Sequence, residues 1–169
     1  KKIEEADLVY ERIKTKKLNT FQSVFYNISI AHYLLAKRKL EEFYSLLDDI
    51  IPFLKEKEAI QLLAELNVLK ANALYFTNKN EEAKSTLLES IIQVQSEGIM
   101  QIFINEGTEI ENILKEIKKE KATKNTKLLN SVSSDFIKKI LDTFSKENKT
   151  KQSDVGDLLS NRELDTLNL

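Results

Sequence analysis

His32 is the only imidazole in the 169 residues, and there is no cysteine. Nucleophilic catalysis needs a serine or cysteine held by such a base, and a zinc site needs several nitrogen or sulfur ligands. Neither arrangement is visible from spacing, so the ordinary role for a lone histidine is packing or surface. The carboxylate pairs Glu4/Glu5, Glu41/Glu42 and Glu81/Glu82 could form acid–base dyads. Each pair opens a helical pattern, where negative charge is favoured by the helix dipole, and that role suffices for them. No Gly-rich loop ending in Lys-Ser/Thr is present, so no phosphate cradle of that kind exists. The lysines Lys115, Lys118, Lys119, Lys121, Lys124 and Lys127 could touch nucleic-acid phosphates, but such a run reads first as a solvated loop. We therefore expect no catalytic residue, no metal and no cofactor. An enzyme would need a convergent cluster, with buried, paired carboxylates around His32.

The elements that hold these residues are helices. With 3 glycines and 1 proline the chain lacks the punctuation that strand-and-turn folds require. The composition, 41% apolar and 31% charged, is that of an all-α globular chain with a charged surface. A net charge of −1 argues against a free-standing nucleic-acid binder, which carries a basic excess. No apolar run approaches the ~20 residues of a membrane span, and the charged start lacks a signal-peptide core. The absence of cysteine fits a cytoplasmic location. The first residue is not Met, which suggests a piece of a longer protein.

Apolar residues recur at spacings of three and four almost throughout. One stripe is Ile3, Ala6, Val9, Tyr10 and Ile13; the next runs from Phe21 to Leu35. Another runs from Phe43 to Ile51 and meets Pro52, which marks a helix end or kink. Two more span Ile60 to Tyr75 and Ala83 to Val94, with Gly98 as the C-terminal cap. Short helices or turns follow: a helix over 109–119, a lysine-rich loop over 118–127 and an amphipathic helix over 128–144. The stretch 145–157 is polar and reads as a linker.

The helices repeat. At an offset near 40 residues Asn27 aligns with Asn67, Ala31 with Ala71, Leu34 with Leu74, Leu47 with Leu87 and Ile51 with Ile91. Each unit is helix, polar turn, helix. This resembles the tetratricopeptide repeat, at a longer period than its usual ~34 residues. The resemblance implies a helical-hairpin solenoid, an α-α superhelix, with a concave groove. Asn27 and Asn67 replace the usual tryptophan, and alanine replaces the usual glycine. Placed on that pattern, Phe25, Ile28, His32, Leu35 and Ala36 line the groove in the first unit. Glu65, Val68, Asn72, Tyr75 and Phe76 line it in the second. The alternative is that these residues pack against the next helix, and the helix over 128–144 could itself fill the groove.

The last residues, Leu159-Ser160-Asn161-Arg162-Glu163-Leu164-Asp165-Thr166-Leu167, hold a capping box, Ser160 with Glu163, before an apolar stripe. They resemble the opening of the LuxR-type helix-turn-helix domain. Ile102-Phe103-Ile104-Asn105-Glu106-Gly107, then Ile113-Leu114, resembles the segment that closes the sensor region of MalT-like regulators. Phe136 to Phe144 resembles the helix that follows it. The resemblance implies three parts: a repeat domain over 1–144, a linker over 145–157 and the start of a truncated DNA-binding domain over 158–169. It further implies a bacterial, cytoplasmic regulator in which a small-molecule effector or a protein or peptide partner occupies the groove. DNA is then read only through the missing C-terminal domain, so no base-reading residue is assigned here. A homo-oligomer of the full-length parent is expected, and no membrane contact. The rival reading is a tetratricopeptide adaptor that binds a peptide or protein and has no DNA role.

Overall fold

The computed structural model describes residues 21–158, with side chains described from 24 to 147. The stripe Ile3–Ile13 and the capping box at Ser160 lie outside the described residues, as does all but Leu158 of the expected DNA-binding start. Every regular element among the described residues is a helix. In order they are α1 (Phe21–Ala36), α2 (Leu40–Glu56), α3 (Ile60–Phe76), α4 (Asn80–Val94), α5 (Gln101–Ile104), α6 (Thr108–Thr123), α7 (Lys127–Asn130) and α8 (Ser134–Leu158).

Four turns share one construction. Arg38, Glu58 and Asn78 have φ of 56°, 52° and 59°, and Gly98 has φ of 70°. Immediately after each, the next N–H reaches back to the carbonyl five residues earlier: Lys39 to Leu34, Ala59 to Leu54, Lys79 to Leu74 and Ile99 to Val94. This left-handed closure satisfies carbonyls that a helix end otherwise leaves without donors. The four carbonyl residues are buried. The sequence signal at Gly98 was therefore one member of a set whose other members carry side chains.

α1 packs on α2 and α3, and α3 packs on α4. Ala31 and Ala71, the small residues shared by the two units, are fully buried, which brings the neighbouring helices close. α3 is buried on two sides. Leu66, Leu69 and Ala73 join the core of the first hairpin. Ala64, Val68, Ala71 and Leu74 join the core that continues into α4, α5, α6 and α8. A helix apolar all round is the expected solution for such a central element.

Several boundaries differ from those read from the sequence. α2 runs past Pro52 to Glu56, with Pro52 inside it. α6 continues to Thr123, because lysine and glutamate sustain a helix and Lys124 pairs with Glu120 across one turn. The helix over 128–144 is broken: Ser131–Ser133 form a turn, and the Ser133 hydroxyl caps α8 by accepting from the Phe136 N–H at 3.2 Å. α8 then stays helical to Leu158, across the stretch whose composition reads as a linker. It packs on α5 and α6, burying Phe136, Ile137, Ile140 and Phe144. No described helix is long and apolar enough to cross a membrane.

Candidate functional site

His32 sits near the end of α1, one turn before Ala36. Two carboxylates from other elements converge on it. Glu65 of α3 lies 3.7 Å from Nε2, and Glu106, in the turn between α5 and α6, lies 3.3 Å from Nδ1. Asn72, two helical turns beyond Glu65 on α3, donates from Nδ2 to the second Glu106 oxygen at 3.3 Å. Glu106 is aimed by the residue that follows it. Gly107 has φ 77° and ψ −150°, a conformation essentially restricted to glycine, and from it the chain enters α6.

The charges perturb one another. The His32 pKa is raised, first by the Glu65 carboxylate, although 3.7 Å is an ion-pair separation rather than a hydrogen bond. Burial opposes that rise, and the Glu106 charge adds to it. Glu106 is itself raised from the usual carboxylate value by burial. His32 and Asn72 offset part of that, while Glu65 and Glu109 add repulsion.

His32, Asn72 and Glu106 border a cavity of about 410 Å³, together with Leu35, Ala36, Arg38, Phe76 and Asn105. The volume is within the range of small-ligand sites, and the depression is open to solvent where Ala36, Arg38 and Asn105 are exposed. The Arg38 guanidinium carbon lies 4.9 Å from the centre of the Phe76 ring.

Of the residues expected to line a groove, the structure brings His32, Leu35, Ala36, Asn72 and Phe76 to this cavity, with Glu65 behind His32. Four others are elsewhere. Ile28 and Val68, 6% and 0% exposed, are core side chains, because α1 and α3 turn these positions into the packed layers. Tyr75 packs partly buried against the core of the second hairpin, and Phe25 is 59% exposed without bordering the cavity. No residue of α8 lines the cavity, so the C-terminal helix does not fill it.

Arg38, Asn105 and Glu106 carry no sequence pattern that marks them as site residues. Arg38 reads locally as one of three basic turn residues, and only its left-handed backbone sets it apart. Asn105 and Glu106 lie in the segment that carries the MalT-like resemblance, which marks the segment rather than a site. Among the described residues no group of three or more His, Asp or Glu side chains is arranged to hold a metal ion. No protein-family model, curated protein or solved structure matches the chain.

Proposed function

We propose that this chain is the effector-sensing helical region of a LuxR-type transcriptional regulator, its hairpins forming a tetratricopeptide-like solenoid. The observation that carries the sensing role is the cavity itself, bordered by α1, α3 and the α5–α6 turn, with buried and perturbed polar groups converging on it. A ligand that bridges these three elements favours one packing of α1 and α3 against α6 and so biases a two-state equilibrium. The solenoid reading is supported by the offset of 40 residues, the shared turn construction and the packing of α1 on α3. The regulator reading rests on the resemblances at Ile102–Gly107 and Leu159–Leu167. It requires a DNA reader following the sensor, working in the cytoplasm. The test is promoter binding by the full-length regulator. The wild type should respond to its effector, and Glu106→Gln should blunt that response, whereas the isolated chain should not bind promoter duplex. Tight promoter binding by the isolated chain would sink this division of labour.

A second reading has an observation of its own. Carboxylates do flank His32, the Glu106 side chain 8% exposed and that of Glu65 27%, which is part of the arrangement an acid–base enzyme would need. The residues lining the cavity include no hydroxyl, so a nucleophile would have to be water or part of the substrate. We favour binding because both His32 nitrogens already face carboxylates. Turnover of any substrate that is abolished by His32→Gln would reverse that preference.

A further inference from the structure

The residues bordering the cavity carry both signs of charge, with Glu106 and Arg38 among them. Glu106 is joined by Glu65 and Glu109 against the single imidazole of His32, so its surroundings are net negative. Glu106 can accept about four hydrogen bonds, and Asn72 and His32 address only part of that capacity. Asn72 is 5% exposed, and its amide oxygen has no hydrogen-bond partner among the described residues. That oxygen is sealed from solvent, so Asn72 serves the site by holding Glu106 through its amide nitrogen. Arg38 makes no ion pair among the described residues; its guanidinium rests on Phe76. A guanidinium held on an aromatic face keeps its fork of N–H donors for a carboxylate. It is also held at a backbone φ of 56°, where arginine is disfavoured, as Glu58 is at φ 52°; the other two corresponding positions, Asn78 and Gly98, carry residues suited to it. Leu35, Ala36 and Phe76 supply apolar wall.

We propose that the cavity takes a small zwitterion with an apolar side chain, in the manner of an α-amino acid. Its carboxylate pairs with Arg38, its ammonium donates to Glu106, and its side chain lies on Leu35 and Phe76. The proposal rests on the sensing reading given above and names the ligand class for the same site.

The test is calorimetric titration of the 169-residue chain with L-leucine, L-phenylalanine and L-methionine. Their N-acetyl and C-amide derivatives serve as controls. At least one free amino acid should bind, and blocking either end should weaken it about 10-fold or more, as loss of a charge-assisted hydrogen bond does. Arg38→Gln should remove the preference for the free acid over the amide. Glu106→Gln should remove the preference for the free amine over the acetylated form. Arg38→Gly, which relieves the backbone, is the check that lost binding is not lost folding. No binding by any of the three, or equal binding by the blocked derivatives, overturns the proposal. The sensing reading fails separately: it falls if promoter control in the full-length regulator is untouched by Arg38→Gln and Glu106→Gln together.

Discussion

The Arg38 guanidinium lies 4.9 Å from the centre of the Phe76 ring, across the gap between the end of α1 and the end of α3. The contact ties the two turns that close the first helix of each hairpin. It also holds a charged side chain at a backbone position that favours glycine or asparagine.

That position separates two effects. Glu58, at φ 52°, is exposed. Glu58→Gly should therefore stabilise the fold by roughly 0.5–1 kcal/mol, since only glycine adopts this backbone without strain. Arg38→Gly gains the same backbone term but loses a cation–π contact worth roughly 0.5–1 kcal/mol, and should be close to neutral. Urea midpoints of the two variants measure the difference; equal stabilisation of both would show that the Phe76 contact contributes nothing.

Gly107→Ala should destabilise by about 1–3 kcal/mol, because φ 77° with ψ −150° is closed to other residues. An added Cβ would meet nothing within 4 Å, so the cost lies in the backbone alone. The variant should also shift the His32 titration, because Glu106 is its immediate neighbour. An unchanged melting temperature, or an unchanged His32 titration in a destabilised protein, would separate the turn from the site.

Stability should fall as pH rises from the acid side to above neutrality. The folded-state pKa of His32 is raised, so its contribution is full below its ordinary 6.5 and is lost as pH climbs through the raised value. Glu106 is also raised, so the fold holds its proton more tightly than the unfolded chain does. Its contribution is full below 4.5 and is lost above that. Glu120, lowered chiefly by Lys84, acts with the opposite sign: its contribution is lost as pH falls below 4.5. His32→Asn should flatten the neutral part of the curve and Glu106→Gln the acid part. Melting temperature against pH for the three proteins checks this, and a wild-type curve that rises from pH 5 to 8 contradicts it.

Lys84 buries its stem in α4 and carries its ammonium to Glu81, at 2.6 Å, and to Glu120 of α6. Lys84→Met keeps the stem and removes the pairs. It should cost about 0.5–1 kcal/mol, since both carboxylates retain water. Lys84→Ala should cost more through lost packing. High salt should narrow the gap between Lys84→Met and wild type but not that between the two variants. A salt-independent gap between wild type and Lys84→Met would mean that the pairs add no stability.

Gln95 holds the turn before α8 with both ends of its amide. Its nitrogen donates to the Ser131 carbonyl at 2.9 Å, and its oxygen accepts from the Ser133 N–H at 2.8 Å. Gln95→Ala should destabilise by about 1–2 kcal/mol and raise amide exchange first in α8. Exchange that rises first in α1 or α2 would place the clamp elsewhere.

The sequence by itself determined what depends on neighbours along the chain. The apolar spacing from Phe21 to Val94 defines four helices, and the offset of 40 residues places Ala31, Ala71, Leu34, Leu74, Leu47 and Leu87 in the core. Both are local or repeated signals, and burial along a helix follows them. Gly98 as a helix stop was legible because glycine is the usual residue there; Arg38 and Glu58 do the same without that signature.

Tertiary structure decided the site. His32, Glu65, Asn72 and Glu106 come from α1, α3 and the turn before α6, and no spacing rule links an imidazole to a carboxylate so far along the chain. It also decided that Ile28 and Val68 face the core rather than the cavity, because the rotation of each helix about its axis is set by what packs against both of its sides. The raised pKa of His32 and of Glu106 follows from that placement, since burial and opposing charge exist only once the helices have met.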